Sequence, residues 1–223
     1  MKLTINFLNK LFCAQLTVSD EISRRLITRL EYIKIKPKNI LCLGDISNSN
    51  FKKIKRLFPE AKLFQQTVEN ETNYDLVICH NYFLYYEFID TAKQVFSHLK
   101  PNGLFLFTSL GPDSFKELSR TESLQKKLLD MHDVGDILLQ TGFKNPVMDM
   151  DMLYVNISSE KKLKLIVQDF KMEQFIHVEP TATLTIEALY GHAFAPEIKT
   201  LSELNEKQEA VISFESLKQS LKR

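Results

Sequence analysis

Three histidines stand where chemistry is conceivable, each beside a polar partner: His80 before Asn81, His132 before Asp133, and His192 after Tyr190 and Gly191. None sits in an obvious Ser-His-Asp or Cys-His arrangement. The cysteines, Cys13, Cys42 and Cys79, are odd in number and far apart, with no Cys-x-x-Cys and no histidine at ligand spacing. That argues against a disulfide framework and against a zinc site, and it fits a reducing cytoplasm; Cys42 and Cys79 read as small core residues. Glycines closing apolar runs are the second kind of candidate: Gly44 with Asp45, and Gly111-Pro112-Asp113. A glycine there allows a tight turn or a close approach of backbone to ligand. Helix starts at Asp113 and Asp133 would favour a bound anion. Every one of these residues also has a plain reading as turn, cap or surface residue.

The elements that must position them follow from periodicity. Val18 to Ile33 reads as a helix, capped by Ser19 or Asp20, with Ile22, Leu26, Leu30 and Ile33 on one face. Asn39–Gly44, Ala61–Gln65, Tyr74–His80 and Leu104–Thr108 read as buried parallel strands. Helices over Asn50–Phe58 and Phe88–Leu99 separate them, and Lys100-Pro101-Asn102-Gly103 is a turn. A helix from Asp133 to Thr141 closes at Gly142, followed by Val147–Met150, a strand at Tyr154–Ile157 and an alternating strand at Ala182–Leu189. Strands alternating with helices predict a doubly wound parallel sheet whose ligands lie beyond the strands' carboxyl ends. Gly44, His80-Asn81 and Thr108–Gly111 are the residues at those ends.

Three segments carry a resemblance: Met131-His132-Asp133-Val134-Gly135-Asp136 running on to Pro146–Asp151, Leu110–Leu118 upstream, and Tyr190-Gly191-His192-Ala193-Phe194 downstream. Together they resemble the malonyl-acyl-carrier-protein O-methyltransferases of biotin synthesis. The likeness runs from Ile22 to Arg223, includes the family-like ending Val211–Leu217, and is densest between Pro101 and Asp151. It implies an α/β fold, the Rossmann-like class I methyltransferase sheet, and S-adenosylmethionine as cofactor. It further implies acyl carrier protein bearing malonyl as partner, and methyl transfer to the free malonyl carboxylate. A carboxylate is already ionised at neutral pH, so alignment and desolvation suffice and no general base is assigned. Carried over residue by residue, Gly44, Asp45, His80 and Asn81 are the cofactor candidates; Gly111, Asp113, His132, Asp133, Tyr190 and His192 are the substrate candidates.

The cofactor side departs from the family pattern. Asp45-Ile46-Ser47-Asn48-Ser49-Asn50 stands where further glycines belong, and the second strand ends at Gln65-Gln66 without the acid that accepts ribose hydroxyls. Asp45 or Glu69 would have to substitute. Thr67 to Asn73 is too short for a helix and a returning parallel strand, so the sheet is expected to be shortened by one helix and one edge strand. His80 replaces the family's serine before Asn81, and Tyr85-Tyr86 replaces its Gln-Trp.

The bulk numbers suit one soluble globular domain over 1–223: 44% hydrophobic, 26% charged, net charge +1. Within it, 1–37 is an N-terminal helical segment, 38–110 a reduced nucleotide-binding half and 111–223 a substrate-side half. Nothing suggests a nucleic-acid coat, a signal peptide or a membrane span, and the expected compartment is cytoplasmic. An acidic carrier would want a basic face, either Arg24, Arg25 and Arg29 or Lys116, Arg120, Lys126 and Lys127. Two other readings stay open: a catalytically inactive carrier-binding or scaffolding module of the same descent, and another reaction on the same fold, such as a hydroxylase of the mitochondrial assembly-factor type. Tyr190-Gly191-His192 favours the biotin branch over the latter.

Overall fold

Val18, Ile22, Leu26 and Leu30 recur every four residues, and each is at most 3% exposed on helix α1 (Val18–Arg29) and the 3-10 turn that follows it. Each such burial contributes about 2 kcal/mol. The cap is Thr17, whose side chain accepts from the Asp20 amide, and not Ser19 or Asp20; Ser19 is buried and faces inward instead. This computed structural model describes residues 17–65, 73–84, 86–172, 176–177 and 181–197.

Beyond α1 come β1 (Asn39–Gly44), α2 (Asn48–Leu57), β2 (Lys62–Gln65), β3 (Tyr74–His80), α3 (Phe88–His98) and β4 (Leu99–Leu110). The chain continues through β5 (Ser119–Arg120), α4 (Glu122–Lys127), α5 (Met131–Thr141), β6 (Lys144–Asn156), α6 (Glu160–Asp169), β7 (Ile176–His177) and β8 (Thr183–Phe194). The main sheet has the order β2-β1-β3-β4-β8-β6. β1 to β4 pair in parallel, whereas β8 is antiparallel to both β4 and β6.

This is a doubly wound, mostly parallel α/β sheet, with β2 as its outermost described strand on one side. Residues 66–72, between β2 and β3, lie outside the described residues, and among the described residues no strand pairs with the outer edge of β2. Side chains alternate between two cores. Ile40, Ile78, Leu106 and Ile186 face α1, α2 and α6. Leu41, Val77, Phe105 and Ala193 face α3 and α5.

Four sequence expectations shift. α5 begins at Met131 with Asp130 as its cap, so Asp133 lies inside the first turn and does not start the helix. β6 is one strand of 13 residues where two pieces were expected. β4 begins at Leu99, because that residue already pairs with Tyr74 before the Asn102-Gly103 bend. β8 runs on through Tyr190 to Phe194. Gln66, Glu69, Tyr85, Cys13 and the Val211–Leu217 ending lie outside the described residues.

The arginines of α1 are also placed differently from a free basic face. Glu21 is 2% exposed and holds Arg24 at 2.6 Å and Arg25 at 2.9 Å. Arg25 reaches on to Asp151 at 2.7 Å, and Arg29 pairs with Asp149. Asp149 and Asp151, two apart on a strand, share a face and lock β6 to α1.

Candidate active site at the carboxyl ends of β1, β3 and β4

After β1 the chain turns to β2 on one side and after β2 to β3 on the other, so the switch in strand order falls between Gly44 and His80. Gly44 has φ +83°, and a Cβ there would lie 1.9 Å from the His80 carbonyl oxygen. Only glycine lets the strand end turn so tightly that the Asp45 amide donates to that carbonyl at 3.0 Å. Asp45 is ion-paired with Lys171, and Ser47 caps α2 by accepting from the Asn50 amide.

His80 is fully buried. Its Nε2 lies 2.9 Å from the Ser19 hydroxyl and its Nδ1 lies 2.8 Å from the Thr108 hydroxyl. The Asn81 amide donates to Ser19 Oγ at 2.7 Å, from a backbone at φ +56°. One proton arrangement satisfies all four groups: Asn81 donates to Ser19, Ser19 donates to Nε2, and Nδ1–H donates to Thr108. Burial pushes the His80 pKa down to about 3, so the ring is neutral. Both ring nitrogens are spent on the protein, and His80 can reach a ligand only through its neighbours. Above this hub the Ser19 amide donates to Asp169 Oδ2 at 2.9 Å. Burial raises the pKa of that carboxyl.

The turn after β4 brings Gly111 and Asp113 to the same edge. Glu187, 8% exposed, sits beneath it: its Oε2 accepts from the Asp113 amide at 2.8 Å, and a Cβ on Gly111 would lie 2.2 Å from its Cδ. Ser114 Oγ bonds the Glu187 amide and carbonyl at 3.0 and 3.1 Å. Phe115 is held at φ +57° by its amide bond to the Thr185 carbonyl at 2.7 Å and by its ring against Phe170. Glu187 escaped the sequence reading. Its only signal there is an acid inside the apolar run Ile186 to Leu189.

Tyr190 and His192 lie elsewhere on the α1 face. They line a cavity of about 450 Å³ with Arg29, Lys34, Leu106 and Val147. The Arg29 guanidinium stacks 3.7 Å over the Tyr190 ring. Burial lowers the His192 pKa and raises that of Tyr190. Tyr190 pairs directly across from Thr108, so this cavity borders the His80 hub. His132 and Asp133 join neither group. They are exposed on α5, where Asp130 accepts from the His132 amide at 2.8 Å.

A bound methyl donor would lie at this strand-order switch, where the α2 N-terminus favours a carboxylate and Asp45 and Asn81 flank the edge, although the place of a Gly44 side chain is already taken by the His80 carbonyl. Gln65, the last described residue of β2, supplies no carboxylate for ribose.

No protein-family model matches the chain. Curated relatives do. One from Gallionella capsiferriformans is 25% identical over 251 residues, covering 82% of this chain and 86% of the relative. Another from Legionella pneumophila is 29% identical over 190 residues, covering 68% and 66%. Both are named malonyl-[acyl-carrier protein] O-methyltransferase. Among solved structures, the plantazolicin methyltransferase BpumL, in complex with a triazolic desmethylPZN analog and SAH, is 13% identical with a TM-score of 0.48 over 86% of this chain and 90% of its own. The two curated relatives bear out the resemblance read from the residues: the chain is similar to malonyl-[acyl-carrier protein] O-methyltransferases.

Proposed function

We propose that this protein is an S-adenosylmethionine-dependent O-methyltransferase acting on the free carboxylate of a malonyl thioester carried by acyl carrier protein, in biotin synthesis. The observation that carries the reading is the similarity to relatives of that name across about four fifths of the chain, on a sheet whose strand-order switch falls at Gly44 and His80.

The donor supplies an electrophilic methyl on a positive sulfur; a carboxylate oxygen bonds to that carbon as the carbon–sulfur bond breaks, giving a methyl ester. The chain need move no proton. Its work is to align the reactants and keep water out. Gly44, Asp45 and Asn81 would seat the donor. Gly111 and Asp113, fixed by Glu187, would present the acceptor from the neighbouring strand end. Tyr190 and His192 would act from the adjoining cavity, and His132 and Asp133 from the first turn of α5. A carrier-binding role without turnover has one observation in its favour: Gln65, the last described residue of β2, is not an acid.

Purified protein incubated with S-adenosylmethionine and malonyl-acyl carrier protein should form a malonyl methyl ester, read by mass spectrometry. Calorimetry should show micromolar binding of S-adenosylhomocysteine that weakens on Asp45→Ala. Cooperatively folded protein that forms no ester at millimolar donor would overturn catalysis by this chain.

A further inference from the structure

We propose that the outward face of α2, with the groove it shares with α1, is the docking surface for the acidic carrier domain. The phosphodiester of the carrier's thioester arm would enter the groove beside Arg24, Ser49 and Arg56. The inference rests on the malonyl-carrier reading and names the surface through which it would operate.

Charge is distributed unevenly. Residues 17–65 hold eleven Lys or Arg against five Asp or Glu, whereas the whole chain carries a net charge of only +1. The excess gathers on α2, which bears Lys52, Lys53, Lys55 and Arg56 and no acid. Two of these hold the helix in place: Lys53 reaches Thr28 Oγ1 at 2.7 Å and Glu31 at 3.3 Å, and Lys55 reaches the Ala61 carbonyl at 2.8 Å. Lys52 and Arg56, one turn apart and on one face, are exposed and make no ion pair among the described residues.

In the alternative basic cluster three of four charges are already paired, and the fourth is held to the main chain. Lys116 is paired with Asp113, Lys126 with Glu122 and Lys127 with Glu87, and Arg120 donates to the carbonyls of Pro112 and Ser114. Arg25 and Arg29 are likewise spent on β6.

Beside the free face, the α1–α2 groove encloses about 560 Å³, lined by Asp20, Glu21, Arg24, Ser49, Lys53 and Arg56 among others. Glu21 is already neutralised by Arg24 and Arg25. At its upper end Asn50 Nδ2 donates to the Asp20 carbonyl at 3.1 Å, one residue from Ser19 of the His80 hub. An arm laid along the groove therefore leads to the carboxyl edge where the acceptor must react. An acidic helical surface outside and a phosphate inside meet complementary charge at both places.

The test compares two acceptors: malonyl-acyl carrier protein and malonyl-N-acetylcysteamine, which lacks both carrier and phosphate. Lys52→Glu with Arg56→Glu should raise KM for the carrier substrate about ten-fold or more, leave kcat in place and leave the small thioester unaffected. Added salt should erase most of the difference between wild type and variant, as expected of steering by exposed charge. Lys126→Glu should do nothing comparable. An unchanged carrier KM in the α2 variant would overturn the docking surface. Should wild type turn over neither acceptor, the catalytic reading falls. Docking is then decided by fluorescence anisotropy of labelled holo-carrier, where a weakened Kd in the α2 variant upholds it and an unchanged Kd overturns it.

Discussion

Gly44 and Gly111 close neighbouring regions of one sheet edge, and different things crowd them. At the donor end a Cβ on Gly44 would strike main chain, the His80 carbonyl at 1.9 Å. At the acceptor end a Cβ on Gly111 would strike a side chain, the Glu187 carboxylate at 2.2 to 2.6 Å. A strand backbone cannot give way without losing its ladder, whereas a carboxylate can rotate. The Gly44 end is therefore the more rigidly determined by packing, whereas the Gly111 end is fitted through one adjustable acid.

The largest effect should come from Gly44→Ala. Positive φ and the carbonyl clash together should cost at least ~3 kcal/mol, read as a lower urea midpoint at unchanged slope. A loss below ~1 kcal/mol would mean the two strand ends can part. Gly111→Ala should cost less, about 2 kcal/mol. Because the obstacle is Glu187, adding Glu187→Ala should cost less than that substitution costs alone. A double-mutant cycle with coupling near zero would break the comparison.

The remaining effect is a pH slope. His80, whose pKa burial pushes down to about 3 in the folded protein, takes up a proton near 6.5 once unfolded. Its contribution is fully present above pH 6.5 and is lost as pH falls toward 3, by at most about 1.4 kcal/mol per unit. Thermal melts between pH 7 and 4.5 should fall steeply for wild type and less steeply for His80→Gln. His192, whose pKa burial also lowers, contributes to the slope that remains. Equal slopes would place the ring's charge in solvent and dismantle the hub.

Much of this was legible from periodicity and punctuation. β3 was read at its true bounds because Leu76 to Cys79 is an unbroken apolar run set between Tyr74 and His80. The Ser19 hub was not. A serine at a helix start reads as a cap, and its partners His80 and Asn81 lie about sixty positions away. The α1 arginines misled for the same reason, since Asp149 and Asp151 are 120 and 126 residues distant. Local pattern reports which face is buried; it does not report which distant charge will meet it. Glu187 was invisible because its role is to fill the space that Gly111 leaves.

The unequal ladders of the sheet bear on how ligands come and go. β2 has 4 residues, whereas β8 and β6, at the other end, have 12 and 13. Local opening is cheapest where few hydrogen bonds and little apolar surface must be given up. Amide protons on β2 should therefore exchange through brief fraying, while those of the β4–β8–β6 ribbon wait for global unfolding. On the proposed reading, the edge beside Gly44 and the α1–α2 groove would therefore open first, and the strand ends at Gly111 and Tyr190 last.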